Sequence, residues 1–366
     1  MRLAWVVVVL GAGCGKSANA PSDAASDPPG TIDASASLDG ALVLDAPLAV
    51  DAASPGDDGP PAAPVCTVTR IEAPGNTFSV GNAIDGAGNV AGSFVAPDGG
   101  THAFRWHAST GFVDLGTLGG GAASAFGISG EITVGTVTVG PDDSFPFLSD
   151  ASGMHALAMP AGAHRGRALG VNASGIAVGE VTLADGFRHA VKYQDGMAID
   201  LGADTGRWNS TAFAISDSGV IVGSAEDNGL HDRIAVMWVN GTVTSLGPGT
   251  AAAVNAAGDV VVGDLAAYHG GTTTPLALPS GVGLGPFLSG AVSGVNDAGW
   301  IVGYVHGQAL EDDGVDHPTL YIDGVVWDMN RLVPAPAFSW RGRAINNAGQ
   351  IVANVGAARL ITCTRP

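Results

Sequence analysis

Three observations predict an all-β protein, specifically a seven-bladed β-propeller of four-stranded blades. A hairpin pattern recurs seven times, its spacing is that of a propeller blade, and Val/Ile/Thr-rich runs follow it while no long stretch shows helical periodicity. The pattern is plainest in Ala214-Ile-Ser-Asp-Ser-Gly-Val-Ile-Val-Gly-Ser224. An apolar β-branched residue leads, then Asn, Asp or Ser, two small residues and Gly, then an apolar run closed by a second Gly. The polar side chain can bond the backbone two residues on, and the Gly can take the positive φ that turns the chain into the next strand.

The chain opens with Arg2 and a short apolar run, Leu3–Leu10. That run is far below the roughly 20 residues needed to span a bilayer, and it reads as an export signal over residues 1–13. Residues 14–65 are rich in Ala, Ser, Asp, Pro and Gly and hold eight Asp against the single Lys16. Such a composition builds no core, so the segment is expected to be a disordered acidic linker with an average reach of about 40 Å. Gly11-Ala-Gly-Cys-Gly-Lys-Ser17 imitates a phosphate-binding loop, but its spacing is one residue short and it lacks a strand–loop–helix setting.

Residues 66–366 are expected to form one repeat-built domain. Its hairpin leaders are Ile84, Ile128, Val171, Ile215, Val254, Val295 and Ile345, at steps of 44, 43, 44, 39, 41 and 50 residues. A third strand is expected after each hairpin, as in His102-Ala-Phe-Arg-Trp106, His189-Ala-Val-Lys-Tyr193 and Ile234-Ala-Val-Met-Trp238. A fourth follows, as in Gly111-Phe-Val-Asp-Leu-Gly116 and Gly196-Met-Ala-Ile-Asp-Leu-Gly202. The fifth period, around Leu265–Leu278, is the least regular. Thr67-Val-Thr-Arg-Ile71 is left without a blade and the last period lacks a fourth strand, so the N-terminal strand is expected to close the ring in the last blade. That pairing brings Cys66 beside Cys363, and an exported protein favours a disulfide between them.

Two resemblances extend this reading. Leu10-Gly-Ala-Gly-Cys14 resembles the lipobox of bacterial lipoproteins, which implies lipidation of Cys14 and, with Gly15 following, delivery to the outer membrane or cell surface. The Asn/Asp-x-x-Gly-x-Ile-Val-Gly hairpin together with His102-Ala103-Phe104 resembles the bacterial extracellular HAF repeat family over roughly residues 78–362. That resemblance implies an exported repeat protein and assigns no reaction.

No local motif of a serine hydrolase, zinc protease, redox pair or calcium loop occurs, and the nine histidines are scattered. No metal and no cofactor are therefore expected. With 34 acidic against 15 basic residues and a net charge of −19, nucleic acid is excluded as a partner and the membrane is reached only through the lipid. Acids including Asp98, Asp142, Asp143, Asp185, Glu226, Glu311, Asp312, Asp313 and Asp316 fall between second and third strands. The connections from fourth strands to the next first strands should share that face, and three of them carry Arg165 and Arg167, Arg207 and Trp208, and Trp340, Arg341 and Arg343. Arg forks with an aromatic face suit an anionic glycan. The resulting expectation is a monomeric, surface-tethered, non-catalytic binding or scaffold module for a cell-surface glycan or another surface protein. The alternative is a glycan-directed hydrolase or lyase acting at the channel mouth, which would require converging carboxylates or a carboxylate with His.

Overall fold

The computed structural model describes residues 61–76, 78–202, 209–226, 233–263, 265–277, 289–306, 316–333, 340–354 and 356–365. The signal, Cys14 and the linker through residue 60 therefore lie outside the described residues. The chain divides into Met1–Gly59 and Pro60–Pro366, and the description that follows concerns the second unit. Its architecture is all-β and propeller-like. Among the described residues there are four separate four-stranded sheets and one twelve-stranded sheet. The large sheet consists of three four-stranded units joined by single parallel bridges, Thr101 to Ala122 and Ser144 to Arg165.

We number the units in chain order: one (79–116), two (122–156), three (165–200), four (209–248), five (251–275) and six (289–328). Unit seven has strands Gly342–Ile345, Gln350–Asn354 and Ala358–Thr364, and its fourth strand is Val65–Arg70 from the other end of the chain. The irregular fifth period makes four strands, though its second, Val260–Val262, has only three residues. The leftover strand pairs antiparallel with Ala358–Thr364, Cys66 lies opposite Cys363, and the two are disulfide-bonded. This strand starts at Val65, one residue inside the expected linker.

The predicted hairpin turns built on Asp85, Asn172, Ser216, Asn255, Asn296 and Asn346 form as their chemistry requires. In the short turn of unit two the Gly130 N–H instead donates to Asp85 Oδ2 of unit one (2.8 Å). Asn172 Oδ1 accepts from the N–H groups of Ser174 (3.1 Å) and Ile176 (3.0 Å), and Gly175 takes φ 75°. Asn296 and Asn346 repeat the arrangement. The same side chains also reach across units: Asn255 Nδ2 donates to Asn296 O (3.1 Å), Asn296 Nδ2 to Asn346 O (3.1 Å), and Asn346 Nδ2 to Asp85 O of unit one (2.9 Å). One polar residue thus shapes its own turn and ties it to the next.

The second Gly of the repeat answers a feature that the sequence pattern does not announce. Each first strand contains a bulge, for example between Ala168 and Gly170. A Cβ on Gly179, opposite that bulge, would lie 1.9 Å from Arg167 O and 2.9 Å from Ala168 Cα, so backbone occupies the side-chain position. The core lies between units rather than within them. Ala91 and Ala103 of unit one pack on Ala125 and Phe147 of unit two, and Val302 and Leu320 of unit six pack on Ile351 and Ile361 of unit seven. Val90 and Phe104 of unit one pack on Val352 and Leu360 of unit seven.

Candidate functional site

Second-to-third connections do meet the entries to the following units. Arg165, which opens unit three, donates from Nε to Asp142 O of unit two (2.7 Å) and pairs with the Asp142 carboxylate. Arg341, at the entry to unit seven, donates from Nε to Asp316 Oδ2 of unit six (2.6 Å). At both places a cation of one unit meets an acid of its predecessor.

Around units three and four the arginines are consumed by structure. Glu180 is 6% exposed. Its Oε1 accepts from Arg167 Nε (2.9 Å), and its Oε2 accepts from Thr211 Oγ1 (2.6 Å) and lies 3.8 Å from Arg188. Arg188 also pairs with Glu226, which accepts from Arg233 Nε and a terminal amino group at 3.2 and 3.0 Å. A cleft of about 350 Å³ lies beside this network, lined by Asp142, Asp143, Arg165, Arg167, Glu180 and Arg188. Arg165 and Arg167 are each engaged by a carboxylate, Asp142 and Glu180, which makes them neutralising partners rather than vacant anion receptors.

Units six and seven differ. Asp316, 8% exposed, receives His306 Nδ1 on Oδ1 at 3.0 Å and Arg341 on Oδ2. The Arg341 guanidinium lies 3.9 Å from the centroid of the Tyr304 ring, a cation–π contact. The hydrogen bond to Asp316 raises the affinity of Arg341 for its proton further, so the group stays cationic. Because the carboxylate occupies Nδ1, the lone pair of neutral His306 falls on Nε2, which makes no hydrogen bond among the described residues. Arg343 is exposed on the first strand of unit seven and makes no ion pair among the described residues. Tyr304 and His306 end the strand Ile301–His306, and Asp316 opens the paired strand Asp316–Ile322 with its backbone opposite His306. Rigid ladder geometry therefore fixes the pair.

Trp340 is not the stacking face expected of it. It is 2% exposed, packs with Met329 and Val333, and donates from its indole N–H to Asn330 Oδ1 (2.6 Å). Arg207 and Trp208 lie outside the described residues, as do Glu311, Asp312 and Asp313. Sequence reasoning missed Tyr304, His306 and the role of Asp316; the only signal was an acid at the head of a third strand. The repeat histidines have a different part. His102 pairs with Asp114 (3.0 Å) and His189 with Asp200 (2.8 Å), each between a third strand and the outer fourth strand. No group of three or more His, Cys, Asp or Glu gathers as a metal-ligand set among the described residues, and no helix there is long and apolar enough to cross a membrane.

No protein-family model and no curated protein matches the chain. Solved structures do. A puromycin-hydrolyzing peptidase from Mycobacterium tuberculosis is 12% identical with a TM-score of 0.49, over 77% of this chain and 53% of that one. A puromycin hydrolase is 13% identical with a TM-score of 0.49, over 75% and 50%. A gluconolactonase from Xanthomonas campestris is 11% identical with a TM-score of 0.38, over 84% and 99%. This chain thus spans about half the length of the two hydrolases. The three neighbours are enzymes, and on that finding the expectation of a non-catalytic binding or scaffold module is corrected and goes no further. Similarity at this level transfers neither a substrate nor a catalytic residue.

Proposed function

We propose that the chain is a closed seven-bladed propeller of the HAF repeat type, exported and lipid-anchored at Cys14, that works as a glycan-directed hydrolase or lyase on the face carrying the second-to-third connections. The closed ring is supported by the pairing of Val65–Arg70 with Ala358–Thr364 and by the Asn346 to Asp85 bond between units seven and one. Export accords with the disulfide. The single observation that carries the catalytic reading is the His306–Asp316 pair with Arg341 beside it. A carboxylate that holds the Nδ1 proton of a His leaves Nε2 as a base, and a fixed cation alongside stabilises negative charge developing on a substrate.

The test is release of new reducing ends from a panel of neutral and acidic polysaccharides by the full-length protein. His306→Ala is expected to lower turnover by about 10²–10⁴-fold, the usual contribution of a general base. Cleavage that survives unchanged in folded His306→Ala, or the absence of cleavage across the whole panel, rejects the proposal.

A further inference from the structure

Resting on that reading, we infer that the Tyr304–His306–Asp316–Arg341 cluster, with Arg343 on the adjoining strand, performs β-elimination on a uronate-containing polysaccharide rather than glycoside hydrolysis. Hydrolysis ordinarily uses two carboxyl groups flanking the scissile bond, one of which must carry a proton to the leaving oxygen. Asp316 is the one carboxylate of this cluster among the described residues. It is buried, and its two oxygens are engaged by His306 Nδ1 and Arg341 Nε. With its oxygens facing these two groups, it is placed as a hydrogen-bond acceptor rather than as a proton donor to a leaving oxygen. The group left with a lone pair is His306 Nε2.

A lone base beside arginines fits a substrate whose acidic proton lies next to a carboxylate. In a 4-linked uronate the C5 hydrogen is α to the C6 carboxylate. Its removal drives charge onto the carboxylate oxygens, where a cation lowers the barrier most. Arg341 uses Nε on Asp316 and lies over the Tyr304 ring, and Arg343, exposed on the adjoining first strand, makes no ion pair among the described residues. In the reaction His306 Nε2 takes the C5 proton, the C5–H electron pair becomes the C4=C5 double bond, and the C4–O bond breaks. The imidazolium returns the same proton to the departing oxygen, so no water or other co-reactant is consumed. Asp316 is a positioning residue, keeping the Nδ1 proton in place and compensating the transient imidazolium.

The experiment offers polygalacturonate, alginate and hyaluronan separately to the full-length protein. Two readouts are followed together: new reducing ends, and the ultraviolet absorbance of a C4=C5 unsaturated end. The expected result is that both rise in equal number on at least one polymer. His306→Gln should remove both, by at least about 100-fold. Asp316→Asn should lower kcat with little change in KM, and Arg343→Ala should raise KM. His189→Gln, on the outer edge of unit three, reports damage to the fold alone and should leave the rate unchanged. Thermal unfolding of each variant separates lost chemistry from lost structure. Reducing ends without unsaturation overturn the elimination and leave the hydrolase reading standing. Cleavage of none of the three uronate polymers also overturns the elimination, and cleavage of none across the wider panel overturns the proposed function with it.

Discussion

Breaking the Cys66–Cys363 bond should lower stability by an amount the chain length sets. The bond joins positions 297 residues apart. For a loop of that size the unfolded chain loses about 19 cal/mol/K of entropy, which is about 5 to 6 kcal/mol at 25 °C and an upper figure. What holds the strand otherwise is intact without the bond. Val65–Arg70 pairs with the last strand over its six residues, and fully buried Ile71 donates its N–H to Ala358 O at 3.0 Å. The native structure should therefore survive reduction, with the loss arising in the unfolded state. Cys363 is 1% exposed, so Ala is the replacement that avoids burying a new hydroxyl. Urea unfolding of the oxidised protein, the reduced protein and a Cys66→Ala/Cys363→Ala variant measures the difference. The reduced protein and the variant should agree with each other and lie several kcal/mol below the oxidised protein. Coincident curves for all three would refute the clasp, as would two reactive thiols from Cys66 and Cys363 in the oxidised, denatured protein.

Gly179→Ala should cost about 3 kcal/mol or more in thermal or chemical unfolding, because its Cβ would meet Arg167 O at 1.9 Å, whereas Gly86→Ala, with open space around it, should change little. Arg167→Ala should lower stability by about 1 to 3 kcal/mol, since Glu180 would lose its principal cation while buried; an unaltered melting curve contradicts the structural role given to that arginine. Burial raises the Tyr193 phenol above its ordinary value near 10, so the folded state holds this proton more tightly than the unfolded chain. That contribution is complete below the ordinary value and lost as pH rises through the folded one. Tyr193→Phe should thus be at least as stable at neutral pH, its hydroxyl having no partner among the described residues, and should lose stability less steeply on the alkaline side.

The fold was largely legible because its determinants are local and repeated. Asn172 and Gly175 make a turn wherever such a pair stands before an Ile/Val run, and the spacing of seven such turns accounts for most of the strand order. Even the pairing of the two chain ends followed from one strand too many at the start and one too few at the finish. The bulge opposite Gly179 was not legible, since the pattern shows a Gly but not which carbonyl forbids a side chain there. Trp340 was misread for a related reason. Its neighbours Arg341 and Arg343 mark a connection, but the indole turns inward to Asn330 and the hydrophobic core of units six and seven.

The candidate site was the least legible part, and the repeats themselves explain why. His–Asp pairs recur along this chain: His102 with Asp114 and His189 with Asp200 brace outer strands, so such a pair alone signals nothing. What sets His306 apart is its place and its company. It ends a second strand instead of starting a third, its carboxylate is buried, and the other carboxylate oxygen is held by an arginine from the next unit. That combination draws on residues 304, 306, 316 and 341, whose proximity depends on the strand ladder within unit six and on the entry to unit seven. In a molecule built from one repeated hairpin, the positions that depart from the repeat are where chemistry has room to arise. The departure at His306 has both a ring nitrogen without a hydrogen bond among the described residues and a fixed cation.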